Sequence, residues 1–121
     1  IKDLDPFDIA ITQSVPNNLV CKILKELPFD PLRRRNTVLI QDNNSLVLIS
    51  RGAYEELITR AIDITPEDKI KLTNWIVSQG NKGRRVVAVT YKNLDNQIAV
   101  LESEEKDMIF AGLISFEDPL K

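Results

Sequence analysis

The stretch Leu27-Pro28-Phe29-Asp30-Pro31-Leu32-Arg33-Arg34-Arg35 gathers one flat ring and three consecutive guanidinium groups between two runs that read as strands. An average phenylalanine belongs to a core. Phe29 sits among two prolines, an aspartate and three arginines, which suits stacking on a flat ligand better. Three arginines in a row usually make a solvated face, and successive strand residues point to opposite sides, so at most one or two of them can meet one anion. Arg51 ends a strand just before Gly52; it is either a surface charge beside a tight turn or a cation where the backbone permits close approach. Arg85 starts an apolar strand, where a charge needs a partner, either a carboxylate or a bound anion. Asp8 falls in the first turn of a helix, a place that the helix dipole gives to acids. These groups can bind a ligand, but they include no marked nucleophile and no acid-base pair.

The rest of the composition narrows the classes. At 121 residues the chain fits one domain able to bury a core. A net charge of −2 opposes a broad nucleic-acid or membrane-surface role, because both need a wide positive field. With no histidine and one cysteine, Cys21, the chain lacks the usual zinc and redox-metal ligands and any Ser-His or Cys-His pair, so neither catalytic nor metal residues are expected. Cys21 itself reads as a small apolar filler in a reducing compartment. No apolar run approaches the ~20 residues of a membrane helix. The chain opens without methionine and closes on Asp118-Pro119-Leu120-Lys121, which reads as an excerpt from the middle of a longer protein.

Those candidate residues must be positioned by elements that the pattern announces. Asp5 and Pro6 cap a short N-terminal helix. A strand follows over residues 21–29, with Pro28 marking an edge or an end. Residues 36–50 form a hairpin around Asp42-Asn43-Asn44, and its strands are apolar at successive positions, implying cover on both faces of the sheet. Ala53, Leu57 and Ala61, with Tyr54, Ile58 and Ile62, mark a helix that packs on the sheet. Thr65-Pro66-Glu67-Asp68 starts a second helix running to about Gln79, with Leu72, Trp75 and Ile76 as its core stripe and Gly80 and Gly83 as its stop. Residues 84–91 and 108–116 are strands. The acidic segment between them is a loop with at most a short helix over residues 97–103. The fold class is α/β (α+β), a mainly antiparallel sheet with helices packed on its faces. Mononucleotide signatures of the Walker or Rossmann kind are absent.

Taken together, several stretches resemble the nucleotide-binding domain of P-type cation-transporting ATPases, with a lean toward the magnesium-transporting and proton-pumping branches. "LPFDPLRRRNTVLI" resembles the family's segment of an aromatic, basic residues and a strand, and "ISRGAYEEL" its K-G-A-P-E motif. "GRRVVAVTYK" resembles the G-x-R-V-x-A-x-A strand, "FAGLISFEDPLK" the strand with a D-P-P-[RK] exit, and "DPFDIAI" the helix that presents an acid to adenine. Two positions depart from the pattern: the motif lysine is Arg51, a planar fork where the family has a point charge, and the motif proline is Tyr54. The family's D-K-T-G, T-G-D and G-D-G-x-N-D motifs are missing.

The resemblance implies a single nucleotide-binding domain over residues 1–121, excised from a larger membrane pump and lying on its cytoplasmic side. Phe29 would stack on the adenine, Asp8 would accept from its amino group, and Arg51 with Gly52 would lie deep beside base and ribose. Arg34 and Arg85 would reach the phosphates, while Arg33 and Arg35 stay solvated. The implied cofactor is ATP, as Mg-ATP in the full pump. The implied partners are the phosphorylation and actuator domains of that pump, with no nucleic acid and no direct membrane contact. In the family, the γ-phosphate passes to an aspartate of the phosphorylation domain and drives cation transport, so this chain alone would bind ATP without hydrolysing it. The alternative is a non-enzymatic regulatory or interaction module that docks an acidic partner on an arginine-rich surface.

Overall fold

The computed structural model describes residues 22–42, 45–95 and 102–117. The helix expected at Pro6, and Asp8 with it, lies outside the described residues. Five strands form one antiparallel sheet in the order of the chain: β1 (Lys22–Leu27), β2 (Arg35–Asp42), β3 (Ser45–Gly52), β4 (Arg84–Leu94) and β5 (Ile109–Glu117). The expected hairpin is β2–β3, in register from Arg35 opposite Gly52 to Asp42 opposite Ser45. Among the described residues β1 lies at the edge of the sheet, and it ends at Leu27, directly before Pro28, where the missing N–H costs no ladder bond.

Alternation along the strands sorts the sheet into two unequal faces. One face buries Leu39 and Leu48, which form a core with Met108 and are flanked by Leu24, Leu27, Leu46 and Leu94. The same face carries a row of buried hydroxyls across three paired strands, Thr37, Ser50 and Thr90. On the other face Val38, Ile40, Val47 and Ile49 are half-buried, so the cover expected on both sides is uneven.

Between β3 and β4 run two helices, α1 (Tyr54–Ile58) and α2 (Pro66–Asn81). α1 buries Leu57 and packs against β3 and β4. It is shorter than the spacing predicts, and the reason is competition for its backbone: the Met108 N–H donates to the Arg60 carbonyl (2.8 Å) and the Ile62 N–H to the Met108 carbonyl (2.9 Å). This parallel bridge to the start of β5 pulls residues 60–62 out of helical pairing and leaves Ile62 exposed.

α2 begins on the expected cap. The Asp68 N–H donates to Thr65 Oγ1 (3.1 Å) and the Thr65 N–H to Asp68 Oδ2 (3.2 Å), a reciprocal pair that satisfies two otherwise unpaired donors. The helix passes through Gly80 and stops at Asn81, before Gly83 at φ +76°. Its core stripe differs from expectation. Leu72 and Ile76 are only half-buried, Trp75 is 39% exposed, and the buried residue of this helix is Gln79. The side-chain oxygen of Gln79, Oε1, accepts from Ser115 Oγ (2.8 Å) and Arg84 Nη1 (3.1 Å), so the helix meets the sheet at its C-terminal end through polar contacts.

Candidate functional site

On the less buried face, at the end of the sheet where β3 gives way to α1, a cavity of about 540 Å³ opens. That volume lies within the ordinary range for small-molecule sites. Its residues come from distant parts of the chain: Phe29 from the loop after β1, Arg51, Gly52 and Ala53 from the end of β3, and Arg85 with Phe116 from the β4–β5 pair. Four of the residues singled out in the sequence, Phe29, Arg51, Gly52 and Arg85, therefore line one cavity. Arg34 is not among the lining residues; its Nη2 lies 3.3 Å from Glu55 at a half-exposed position.

Sheet register explains the convergence. Asn36 lies opposite Arg51, and Arg85 opposite Phe116, all on the same side by alternation. Asn36 donates to Glu26 Oε2 (3.0 Å), which sets a polar pair at the β1 side of the cavity. On the far side the Arg85 guanidinium stands 5.2 Å from the centre of the Phe116 ring, within cation–π range. Val86 and Val87 add apolar wall. Phe29 is 60% exposed, so its ring is available to a ligand and is not core. Rings, valines and two guanidinium groups suit a flat heteroaromatic ligand that carries negative charge.

The loop bearing Phe29 is fixed by its own turn chemistry. Asp30 Oδ1 accepts from the Leu32 and Arg33 N–H groups, both at 2.8 Å, and the Asp30 carbonyl accepts from the Arg34 N–H (2.8 Å). Arg34 adopts φ +54°, and its carbonyl accepts from the Ala53 N–H (3.0 Å). Here the chain crosses Gly52 so closely that a Cβ at that position would lie 2.3 Å from the Arg34 carbonyl oxygen and 2.7 Å from Arg35 Cα. Gly52, at φ +158°, is required by this contact between loop and strand.

The expectation that Arg33 and Arg35 are solvated is corrected. Arg35 is buried, and both side chains grip the carboxylate of Glu105, itself buried, from the same side of the sheet. Arg33 donates through Nη1 (2.8 Å) and Nη2 (3.0 Å), and Arg35 through Nε and Nη2 (both 3.1 Å). Thr37 Oγ1 also donates to this carboxylate, which leaves Ser50 to donate to Thr37 (2.7 Å). Burial is the largest influence on Glu105 and raises its pKa. The hydrogen bonds from Arg33, Arg35 and Thr37 and the charge of Arg35 together outweigh it and hold the carboxyl at about 2. The same hydrogen bond raises the pKa of Arg33. Of the three arginines only Arg34 turns outward.

Glu26, Asn36, Phe116 and Glu105 were not among the residues the sequence marked. Glu105 sits in an acidic stretch, Glu102 to Asp107, that reads as solvated; the described residues there carry a 3-10 turn over Glu102–Glu104, and most of the short helix expected over 97–103 lies outside the described residues. Phe116 enters the site through its register opposite Arg85, which no sequence pattern reports.

Comparison with known proteins bears on what such a site serves. A probable cation-transporting P-type ATPase of Mycoplasma genitalium is 29% identical over 98 residues, covering 78% of this chain and 11% of that protein. The magnesium-transporting ATPase, P-type 1, of Escherichia coli K12 is 32% identical over 109 residues, covering 81% of this chain and 12% of its own length. Calcium-transporting ATPase 1 of Bacillus cereus is 24% identical over 132 residues, covering 95% of this chain and 15% of that protein. The chain thus spans about a tenth of the length of the first two relatives. The family description that matches, over residues 7–121, is that of the P-type ATPase cytoplasmic domain N, and the chain belongs to this family.

Proposed function

We propose that this chain is the ATP-binding domain of a cation-transporting P-type ATPase, a piece of a longer membrane pump on its cytoplasmic side. The observation that carries the reading is the convergence of Phe29, Arg51, Gly52 and Arg85, far apart in the chain, on one cavity. Phe29 offers its exposed ring to the adenine, and Arg51 lies beside base and ribose where Gly52 brings the backbone close. Asp8 accepts from the adenine amino group. Arg85 faces the phosphates, joined by Arg34, whose exposed pair with Glu55 is the kind worth about 0–1 kcal/mol and is readily exchanged for a phosphate.

In the pump the γ-phosphate of Mg-ATP is delivered to an aspartate of the phosphorylation domain, and the actuator domain is a further partner. This chain supplies neither that aspartate nor hydrolysis. Relatives named for magnesium and for calcium both match over most of this chain, which supports a role for it that does not depend on the cation. Among the described residues no helix is long and apolar enough to cross a membrane, so cation passage falls to other parts of such a pump.

One base–aromatic stack contributes about 1–3 kcal/mol, and two charge-assisted contacts about 1.5–3 kcal/mol each. Set against several kcal/mol of lost freedom on association, they leave a complex of roughly millimolar affinity. NMR titration with ATP, ADP and GTP tests this: amides around Phe29 and Arg51 are expected to shift with both adenine nucleotides and less with GTP. No response at high millimolar ATP would refute the reading.

A further inference from the structure

We propose that Glu105, on the face of the sheet turned away from the cavity, is a positioning residue for the nucleotide site, because its grip on Arg33 and Arg35 fixes the loop that carries Phe29. The proposal rests on the nucleotide reading above and adds a residue that does not touch the ligand.

Arg34 holds left-handed backbone, which a side chain such as arginine rarely adopts. Its own side chain does little to keep it there, since the pair with Glu55 is exposed. Its neighbours do more. Arg33 and Arg35 close on one carboxylate, and Arg35 Nη1 also donates to the Arg33 carbonyl (3.0 Å). With both flanks pinned, the Arg34 carbonyl is directed at the Ala53 N–H, one residue from Gly52 and two from Arg51. On the other side, Arg33 is tied through its N–H to Asp30, the residue next to Phe29.

The anchor is itself held. Lys92 Nζ contacts Glu104 (3.1 Å) and donates to the Lys106 carbonyl (3.0 Å), and Met108 pairs with Arg60. A carboxylate 72 residues along the chain from Arg33 thereby sets the distance between the two lips of the cavity, Phe29 and the Arg51–Ala53 turn.

The test uses Arg33→Met, which removes one fork while Arg35 and Thr37 keep the buried carboxylate paired. Amide hydrogen exchange at Arg34 and Ala53, ATP affinity by NMR, and a double-mutant cycle with Phe29→Leu are measured on the 121-residue chain. Exchange at those two amides is expected to speed up while the β3–β4 ladder keeps its protection. The Kd for ATP is expected to rise about threefold to tenfold, in the range of couplings carried through packed networks. In the Phe29→Leu background the same change is expected to alter Kd by less than about twofold, a non-additivity that a purely structural role would not produce. Arg33→Lys, which keeps the charge but not the fork, should fall between wild type and Arg33→Met on every readout, and it supplies the test should Arg33→Met not fold. Unchanged ATP affinity, or effects that add independently with Phe29→Leu, would overturn the proposal. If the wild-type chain does not respond to ATP, the nucleotide reading falls and the positioning role falls with it, while the exchange data separately decide whether the clamp holds the loop.

Discussion

Replacing Glu105 by glutamine removes the charge at the centre of the arginine network while keeping its shape. A carboxamide can accept from one arginine, but its NH₂ then faces the other, so a buried guanidinium is left without a counterion. Breaking one side of a buried ion pair in this way costs about 3–5 kcal/mol. Domains of this size hold about 5–15 kcal/mol in total, so Glu105→Gln is expected to fold at neutral pH with a much lower urea midpoint, by about 2 M at an ordinary denaturant slope.

The pH dependence isolates the carboxylate itself. Glu105 titrates at about 2 in the fold against a reference of 4.5, a difference of 2.5 that corresponds to about 3 kcal/mol. Because the folded value is the lower one, this contribution is complete above pH 4.5 and disappears as the pH falls toward 2. By pH 3 about 2 kcal/mol of it is gone. All other acidic side chains are the same in the two proteins, so the difference between them isolates Glu105. Urea unfolding followed by circular dichroism at pH 6, 4.5 and 3 should show the gap between wild type and Glu105→Gln narrowing by about 2 kcal/mol across that range. A gap that stays constant would mean that Glu105 is not the ionised hub of the network.

Two further outcomes follow from the geometry. Gly52→Ala places a methyl 2.3 Å from the Arg34 carbonyl oxygen, on backbone that cannot yield cheaply, and is expected to cost at least about 2 kcal/mol and lower Tm by roughly 10 °C; an unchanged Tm would mean the loop does not rest on this glycine. Arg85→Ala and Arg34→Ala should each weaken ATP by about tenfold while leaving adenosine within about twofold, because a charge-assisted phosphate contact is worth about 1.5–3 kcal/mol. Equal losses for ATP and adenosine in titration calorimetry would exclude the phosphate role.

Much of the sheet was readable because its signals are local. The β2–β3 hairpin announces itself by Asp42-Asn43-Asn44 between two apolar runs, and α2 by Thr65, Pro66 and Asp68, where the cap is a contact between neighbours. What failed was long-range. α1 stops early because Met108, from the far end of the chain, takes the backbone groups of Arg60 and Ile62. Trp75 has helical spacing for a core, yet α2 touches the sheet through Gln79, and no periodicity in the helix reports where its partner surface lies.

The arginine triplet shows where local reasoning stops. Strand alternation would put Arg33 and Arg35 on one side and Arg34 on the other, and the side chains do part that way, although only Arg35 belongs to β2 and Arg34 sits in left-handed backbone just before it. Parity says nothing about which side is wet. Glu105 is one acid in a run that would be fully solvated if the segment lay at the surface; the contact that buries it depends on a chain segment returning across β2 some 70 residues later. A charge cluster beside a candidate ligand pocket therefore has two readings, cations for the ligand or cations for an internal carboxylate, and only the second demands an acid elsewhere in the chain with its own desolvation offset. Here the inward pair, Arg33 and Arg35, holds the internal carboxylate, and the outward Arg34 is the one that the proposed function assigns to a ligand phosphate.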